Sequence, residues 1–430
     1  MILRRIIGRV LPRTLKDRLK YLKKKLDLSK YRKKQRRIVE EIRLKHHVNV
    51  MIIASSMGMW RFDEFCRQVL KDSSFSLLVV IKPFLSYIES EQENETKRLT
   101  HYLSGSNIPF VVVDNGDNAF RLIKQRFKPD LIFYPQPYGG AYGDETDWSS
   151  NMDCLLCYLP YSLHLTSLNW CINTDYHNLA WRQYQPSKLH AEESAKKTVC
   201  KGDNVVIAGE PRHDDFQTPA VGAPWNKLDD GLVRKKLIWA PHFQIMGDQV
   251  MNRMDFLRIS GLMIKIAEMY SDSLQIAFKP HPRLKTSLYR HQEWGKKKTD
   301  EYYAMWASMK NTQLEEGDYV DLFKTSDALI HNCGSFTGEY LYLKKPVAYV
   351  TMDVESIKAP MHEFGKRCVD SHYIVSDDKE IIAFIEDVVI GGNDTMREFR
   401  QGIYDMQMVP PNNSSVAENI VNDIRKSLIE

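Results

Sequence analysis

The hydrophobic and polar positions of this chain alternate between short apolar runs and longer segments with helical spacing. Each apolar run is continuous, which is typical of a strand buried on both faces of a parallel sheet. Segments between the runs carry the polar faces expected of covering helices. In the first half, we predict strands within Val48–Ala54, Ser76–Ile81, Phe110–Val113, Asp130–Tyr134, Leu155–His164 (with its loop) and Val205–Gly209.

The second half repeats this alternation after a segment without periodicity. That segment, 218–231, holds two prolines and two glycines, and we predict it to be a hinge. Strands are predicted at Lys236–Ala240, Leu274–Phe278, Ala328–Ile330 and Pro346–Val350, and helices at Phe256–Tyr270, Phe336–Leu343, Lys379–Val389 and Ser415–Leu428.

A chain of 430 residues is too long for a single hydrophobic core. The pattern therefore predicts an α/β protein with two Rossmann-like domains. The predicted divisions are a basic segment at 1–45, a first domain at 46–217, the hinge at 218–231, a second domain at 232–390 and a helical segment at 391–430.

Positive charge is concentrated at the start of the chain. Residues 1–45 hold 18 Lys and Arg against 4 Asp and Glu, whereas the whole chain has a net charge of +5. Ile, Leu and Val are interleaved with Arg in the first eleven residues, so an interfacial helix on anionic lipid is favoured. The alternative is a solvated basic arm that touches nucleic acid. We expect a protein of the cytoplasmic membrane face and no nucleic-acid partner.

Other classes of site find little support in the sequence. The apolar runs are shorter than the ~20 residues that a membrane span needs. No GxGxxG follows the first strand, and no HExxH or zinc-like cluster is present, so we expect no NAD chemistry, no bound cofactor and no metal. Seven cysteines, an odd number, suggest reduced thiols.

A strand, a small polar turn and a helix follow one another at Ala328–Leu343. Free N–H groups at such a helix start favour an anion. Candidate donor-binding residues here are Asn332, Gly334, Ser335 and Thr337, with Glu339 as an acceptor for ribose hydroxyls. The alternative is that Ser335 only caps the helix.

The most chemically dense segment is Lys279-Pro280-His281-Pro282-Arg283, at the end of a predicted strand. Two prolines stiffen the loop, and three cationic or donor groups alternate along it. Such a cluster suits a pyrophosphate, whose charge it neutralises during transfer.

Two further histidines, His164 and His242, follow predicted strand ends, where a general base would be placed. The alternative for a single histidine such as His164 is a packed side chain bonded to backbone.

The order and spacing of several segments resemble the CDP-glycerol glycerophosphotransferase family, the teichoic-acid and capsule polymerases and primases of bacteria. The resemblance rests on Lys279–Pro282, Ser326–Tyr340, Lys345–Val347 and Gly209–Asp214, the last of which contains Arg212 and His213 as hinge or cleft residues. It covers roughly residues 155–350. The arrangement of domains also resembles the GT-B architecture, in which donor and acceptor bind different domains across a cleft.

The resemblance implies transfer of a polyol phosphate from a CDP-activated donor to a hydroxyl of a glycan or lipid-linked acceptor, with release of CMP. It also implies a role for the histidine that matches His281. The sequence departs from the family at Asn332, where Asp is common, and in lacking a histidine just before Pro160, for which His164 is the substitute.

The mechanism expected is in-line attack by a hydroxyl that His164 or His242 deprotonates. Two alternatives stay open: a GT-B sugar transferase that uses a nucleotide sugar, and a non-catalytic, membrane-docked assembly subunit.

Overall fold

The computed structural model describes residues 13–113, 118–245 and 255–430. Two compact units are formed, and both are discontinuous in sequence. The first unit takes Met1–Ser162, Asn169–Pro211 and Pro410–Glu430, and the second takes Leu163–Leu168 and Arg212–Val409. The predicted interfacial helix over the first eleven residues and the loop at 114–116 lie outside the described residues.

The first unit is built on a seven-stranded parallel sheet with the order β3-β2-β1-β4-β5-β6-β7. Its strands are β1 (Val48–Ala54), β2 (Phe75–Ile81), β3 (Phe110–Val112), β4 (Leu131–Tyr134), β5 (Leu155–Tyr158), β6 (Arg182–Gln185) and β7 (Val205–Ile207). Its helices in chain order are α1 (Arg13–Arg43), α2 (Asp63–Lys71), α3 (Glu89–Gly105), α4 (Ala119–Phe127), α5 (Asn169–Ile172), α6 (Asp175–Leu179) and α7 (Lys188–Lys197), with α18 (Val416–Leu428) returning from the far end of the chain.

Strand β1 shows why the apolar runs are continuous. Val50 and Ile52 face one hydrophobic core, whereas Met51 and Ile53 face the core on the opposite side of the sheet. Successive side chains of a strand point to opposite faces, so a strand covered on both faces is apolar at every position.

The basic helix α1 is 31 residues long, and its second half packs on the first unit. Tyr31, Gln35 and Ile42 lie on one face and are buried. Arg32 from the same region donates to the Ala180 carbonyl at 2.9 Å and to Asp203. Among the described residues, no helix is both long enough and apolar enough to cross a membrane.

A Cys-x-x-Cys sequence, Cys154 to Cys157, lies at β5, contrary to the expectation that the chain has no such motif. The two thiols face opposite cores of the sheet, so they cannot pair. Burial raises the pKa of Cys154 to about 12 and also raises the pKa of Cys157. All seven cysteines are free and buried.

The second unit is built on a six-stranded parallel sheet with the order β10-β9-β8-β11-β12-β13. Its strands are β8 (Lys235–Ala240), β9 (Leu274–Phe278), β10 (Thr312–Leu314), β11 (Ala328–His331), β12 (Val347–Val350) and β13 (Tyr373–Val375). Its helices are α8 (Arg212–Gln217), α9 (Asp255–Met269), α10 (Leu284–Tyr289), α11 (Gly295–Ser308), α12 (Val320–Thr325), α13 (Phe336–Glu339), α14 (Val354–Lys358), α15 (Glu363–Asp370), α16 (Asp378–Ala383), continuing as a π-helix at Phe384–Ile390, and α17 (Arg397–Gln407).

These sheets confirm the predicted α/β fold with two Rossmann-like domains. Several bounds differ from those expected. The helix predicted at 336–343 is the four-residue α13 followed by a 3-10 turn at Tyr340–Leu343. Residues 212–217 group with the second unit, and the predicted terminal segment is shared, with α17 in the second unit and α18 in the first.

Candidate functional site

The strand order of the second sheet reverses direction between β8 and β11. In an open parallel sheet, ligands bind outside the carboxyl ends of the strands at such a reversal point. The loops that emerge there are 241–244 after β8, 279–283 after β9 and 332–335 after β11. Backbone bonds join the first two loops, since His281 N–H donates to the Pro241 carbonyl at 3.1 Å.

Three rings and a guanidinium gather in these loops. The ring centroids of His242 and His281 are 5.1 Å apart, and Phe243 lies 4.4 Å from the first and 4.6 Å from the second. The Arg283 guanidinium stacks over the Phe243 ring at 4.3 Å. Arg283 is exposed and His281 half-buried, so both can reach a ligand at the sheet edge.

Backbone N–H groups determine which ring nitrogen of His281 and His242 carries the proton in the neutral imidazole. Nδ1 of His281 accepts from the Arg283 N–H at 3.1 Å, and Nδ1 of His242 accepts from the Gln244 N–H at 3.3 Å. A neutral imidazole that accepts at Nδ1 carries its proton on Nε2. Each ring therefore carries its proton on Nε2, and an N–H group is suited to donating to a phosphate oxygen rather than to acting as a base.

Lys279 does not join the predicted cationic cluster. Its side chain is buried, and its ammonium group donates to the Gly317 carbonyl at 2.6 Å and the Glu315 carbonyl at 3.4 Å. Burial lowers the pKa of Lys279. The charge ties loop 315–317 to the end of β9, while His281 and Arg283 are the members of the pentapeptide that stay at the open edge.

Asn332 connects two loops and a helix. Its Oδ1 accepts from the His242 N–H at 2.7 Å. Its side chain also hydrogen-bonds to Asp255, whose pKa is raised by burial in spite of that bond and of Arg258. Sequence reasoning missed Asp255, because a carboxylate in the first turn of a helix is common for purely local reasons.

The turn after β11 leaves Ser335 half-buried without a bond from its side chain to the helix, so the capping alternative is not what the structure shows. Thr337 is fully buried, and its hydroxyl donates to the Cys333 carbonyl at 2.9 Å. Gly334 and Ser335 therefore lie at the accessible part of the turn, while Thr337 holds the turn to the helix.

Glu339 is fully buried at the end of α13. Its Oε2 accepts from the Tyr319 hydroxyl, and its Oε1 is a buried oxygen for which the described residues supply no hydrogen bond. The Arg212 guanidinium stacks over the Tyr319 ring at 5.0 Å. Burial lowers the pKa of Arg212, but Tyr319, Asp215, Asp318 and Glu339 outweigh it and hold the pKa well above its ordinary value.

His213 lies apart from this group. Its Nε2 is 3.1 Å from the Tyr404 hydroxyl, and its ring packs on Tyr342 and Tyr404. It joins α8 to α17, so the predicted pair of Arg212 and His213 is divided between a charged cluster and an aromatic one.

His164 belongs to the second unit, although the predicted domains place it in the first. The segment Leu163–Leu168 packs closely against two glycines of the second unit. A Cβ on Gly338 would lie 2.4 Å from the Leu163 side chain, and a Cβ on Gly365 would lie 2.2 Å from the Leu165 carbonyl oxygen. The segment therefore places His164 beside α13. Burial lowers the pKa of His164 to about 4, with His362 adding to the effect.

A second pair of histidines, missed in the sequence, lies beneath the same turn. His331 Nδ1 accepts from the Cys333 N–H at 3.0 Å, and its Nε2 is 3.1 Å from Nε2 of His372. Nδ1 of His372 is 2.7 Å from the Cys368 carbonyl. A carbonyl only accepts, so His372 is protonated at Nδ1 and His331 at Nε2, which makes both rings neutral.

No group of three or more metal-ligating side chains gathers anywhere in the described parts of the chain. The site therefore consists of hydrogen-bond donors, one exposed guanidinium and a buried carboxylate. Such a set can bind a phosphorylated nucleotide and stabilise charge on its phosphates.

Known structures share this fold over most of their length. A putative UDP-N-acetylglucosamine 2-epimerase from Listeria monocytogenes superposes with a TM-score of 0.58 at 13% identity, covering 88% of this chain and 96% of that one. S. aureus MnaA with UDP gives a TM-score of 0.56 at 13% identity, with coverages of 89% and 97%. A histidine-to-alanine variant of the wall teichoic acid polymerase TagF gives a TM-score of 0.54 at 12% identity, with coverages of 96% and 98%.

The fold defines an α/β protein with two Rossmann-like domains. No curated protein matches the sequence. The family model of CDP-glycerol:poly(glycerophosphate) glycerophosphotransferases matches residues 183–426, which is more than half of the chain. The chain belongs to this family, as the sequence resemblance predicted.

Proposed function

We propose that this protein transfers a polyol phosphate, glycerol phosphate or ribitol phosphate, from a CDP-activated donor to a hydroxyl of a cell-surface glycan or lipid-linked acceptor, releasing CMP. The observation that carries the proposal is the extent of the family match. Residues 183–426 include every strand of the second sheet and the loops after β8, β9 and β11.

In this proposal, His281, His242 and Arg283 bind the donor phosphates. The Nε2–H groups and the guanidinium stabilise the charge that develops on the bridging and leaving oxygens. Lys279 acts as a positioning residue, because its ammonium group fixes the loop that leads to Tyr319.

The turn after β11 binds the nucleotide. Gly334 and Ser335 face the phosphates with backbone and hydroxyl donors, and Asn332 keeps the His242 loop beside them. Glu339 Oε1 accepts a ribose hydroxyl, which would satisfy an otherwise unbonded buried oxygen. Tyr319 and Arg212 hold that carboxylate in place.

His164 accepts the proton of the attacking hydroxyl. Burial lowers its pKa to about 4, so the ring is neutral at pH 7, although such a pKa makes it a weak base. His242 is the less favoured base, since its acceptor nitrogen already receives the Gln244 N–H.

The membrane site in this proposal is the exposed face of α1. Lys30, Lys33, Arg36 and Arg37 are exposed, and Leu26, earlier in the helix, is 64% exposed. Basic side chains near an anionic surface each contribute about 1 kcal/mol. The protein would then act as a peripheral enzyme at the cytoplasmic face, where its nucleotide donor is available.

The direct test is CMP release from CDP-glycerol by the purified protein and a His281→Ala variant. We expect kcat to fall about 10²- to 10³-fold, as for loss of a hydrogen-bond donor that stabilises charge in the transition state. His291→Ala is the matched control, because Nδ1 of His291 also accepts a backbone N–H two residues on, at 3.3 Å. Unchanged turnover in folded His281→Ala would sink this assignment.

A second candidate is nucleotide-sugar chemistry on the same frame, by a sugar transferase or an epimerase. It is favoured by the structural likeness to UDP-N-acetylglucosamine 2-epimerases. Thermal shifts with CDP, UDP, GDP and CDP-glycerol separate the two, since a ligand at 100 times its Kd adds about 2.7 kcal/mol. A response to UDP or GDP alone would favour the sugar reaction, and no response to any nucleotide would favour a non-catalytic subunit.

A further inference from the structure

The turn after β11, residues 332–335, is held by two fully buried side chains beneath it. Nδ1 of His331 accepts from the Cys333 N–H at 3.0 Å, and the Tyr349 hydroxyl donates to the Asn332 carbonyl at 3.4 Å. Because neither side chain is exposed, each acts on a ligand at the sheet edge only through the backbone of the turn.

A second histidine fixes the position of the proton on the first. Nδ1 of His372 lies 2.7 Å from the Cys368 carbonyl, which only accepts, so this nitrogen carries the proton. Nε2 of His372 is then a lone pair, and it lies 3.1 Å from Nε2 of His331. His331 is therefore protonated at Nε2 and keeps Nδ1 as an acceptor. The hydrogen bonds from Cys333 through both rings to Cys368 all run in one direction.

The contact with His372 excludes the other tautomer of His331. A ring protonated at Nδ1 would set one N–H group against the Cys333 N–H, with the two nitrogens 3.0 Å apart. Both groups are buried, and a buried donor without an acceptor is costly. His372 offers its lone pair only to the Nε2–H tautomer, so the bond that holds the turn depends on the second ring as well as on the first.

Packing leaves the two rings little freedom to move. The Tyr349 ring meets both at an angle of 75°, with its centroid 5.2 Å from that of His331 and 6.1 Å from that of His372. Arg400, which is fully buried, donates to the Ser371 carbonyl beside His372 at 3.4 Å. Side chains locked in this way can hold the groups that contact a ligand in one geometry.

We infer that His331 is a positioning residue for the donor nucleotide and that His372 acts through it by fixing its tautomer. The bond to His331 commits the Cys333 N–H to the protein interior and sets the backbone of the turn. The N–H groups of Gly334 and Ser335, next along the turn, then keep a fixed direction for the donor phosphates. Donors that are fixed before binding need no reorganisation when the ligand arrives. Taking the ligand as the CDP-activated donor rests on the proposed function.

Two substitutions at His331 separate this role from simple packing. The amide oxygen of Asn can occupy the place of Nδ1, whereas the amide group of Gln reaches the place of Nε2. His331→Asn therefore keeps an acceptor for the Cys333 N–H, and His331→Gln keeps only the contact with His372. Both remove a buried ring, so both should lower the melting temperature, and a difference between them reports the bond to Cys333.

The first test needs no ligand and follows amide hydrogen exchange by NMR in protein labelled with ¹⁵N-cysteine. The chain has seven cysteines, so the spectrum is simple, and Cys333→Ser assigns the resonance. The Cys333 amide should exchange about tenfold faster in His331→Gln than in wild type and at about the wild-type rate in His331→Asn, since only the first loses the hydrogen bond. The Cys368 amide, in α15, is the internal reference for general loosening of the second unit.

The second test measures the Kd of CDP by calorimetry. His331→Gln should bind CDP about tenfold more weakly than wild type, and His331→Asn within about twofold of it. His177→Gln is the matched control, because this buried histidine of the first unit also accepts a backbone N–H at Nδ1, from Thr174 at 3.3 Å. It should lose stability and keep the wild-type Kd.

Substitutions at His372 test the second half of the inference. His372→Gln should bind CDP about three- to tenfold more tightly than His372→Leu, because only the amide oxygen of Gln can accept from the His331 Nε2–H. This pair also decides the matter if the His331 variants do not fold.

Equal CDP affinity in His331→Asn and His331→Gln would overturn the role of His331, and so would equal exchange at Cys333. Equal affinity in the two His372 variants would overturn the role of His372. If wild-type protein does not bind CDP, the proposed function fails instead, and the exchange rate of the Cys333 amide still shows whether His331 holds the turn.

Discussion

The neutral pair of His331 and His372 makes the stability of the protein depend on pH in a way that one substitution removes. His372→Gln keeps an acceptor for the His331 Nε2–H but cannot be protonated. In the wild type, the pKa of His372 is lowered from 6.5 to about 3, mainly by burial and also by Arg400, while the bond to the Cys368 carbonyl opposes the shift. Between these two pKa values, the unfolded chain therefore binds a proton at His372, whereas the native ring stays neutral.

The sign and size of the effect follow from this difference. A histidine with a depressed pKa contributes its full stability above pH 6.5 and loses that contribution as the pH falls towards 3. For one such group, lowering the pH from 7.5 to 5.5 costs about 1.4 kcal/mol of unfolding free energy. His372→Gln should lose about 1.4 kcal/mol less than wild type over the same interval.

Urea unfolding of both proteins at the two pH values measures this difference. The slope of the unfolding free energy against urea concentration serves as the control. It should be the same for both proteins if their native states are equally compact. A general loss of stability in the variant, from its weaker bond to the Cys368 carbonyl, cancels when each protein is compared with itself. If both proteins lose the same free energy on acidification, the two rings are not a neutral buried pair.

Two further predictions concern the glycines and the amide of the site. Gly365→Ala should destabilise the protein by about 1–3 kcal/mol, because the new Cβ meets the Leu165 carbonyl; Gly402→Ala, with open space around its Cβ, is the control in chemical denaturation. Asn332→Asp should cost about 1–2 kcal/mol at neutral pH and less in acid, because it sets a second carboxylate against Asp255. An unchanged unfolding midpoint in either variant would contradict the packing or the hydrogen bond concerned.

The fold could be predicted where strands are apolar at every position, and it was missed where they are not. Strand β6 lies between β5 and the edge strand β7 and is mostly buried, yet its sequence reads Arg-Gln-Tyr-Gln. Gln183 is tolerated because its amide donates to the His177 carbonyl at 2.7 Å and to Asn204 at 3.0 Å. Hydropathy cannot show such a strand, because the carbonyl and amide groups that receive the N–H bonds of Gln183 are brought beside it only by the fold.

The site was predictable to the extent that its residues follow strand ends. His281 follows the carboxyl end of β9, and Asn332 and Ser335 follow that of β11, so all three lie at the same edge of the parallel sheet. Lys279 and His372 were not predictable, because the burial of one and the partner of the other depend on tertiary contacts. The alternation of charges in Lys279–Arg283 gives no sign that the first cation turns inward.

Helix α18 completes the core of the first unit although it is encoded after the whole second unit. Ile420, Ile424 and Leu428 are buried against strands from the first half of the chain. A ribosome adding about 5–20 residues per second needs roughly 10–40 s to make the intervening 200 residues or so. Throughout that time the nascent first unit exposes the apolar surface that α18 later covers. A chaperone that binds such surfaces during synthesis would therefore protect this half of the protein from aggregation.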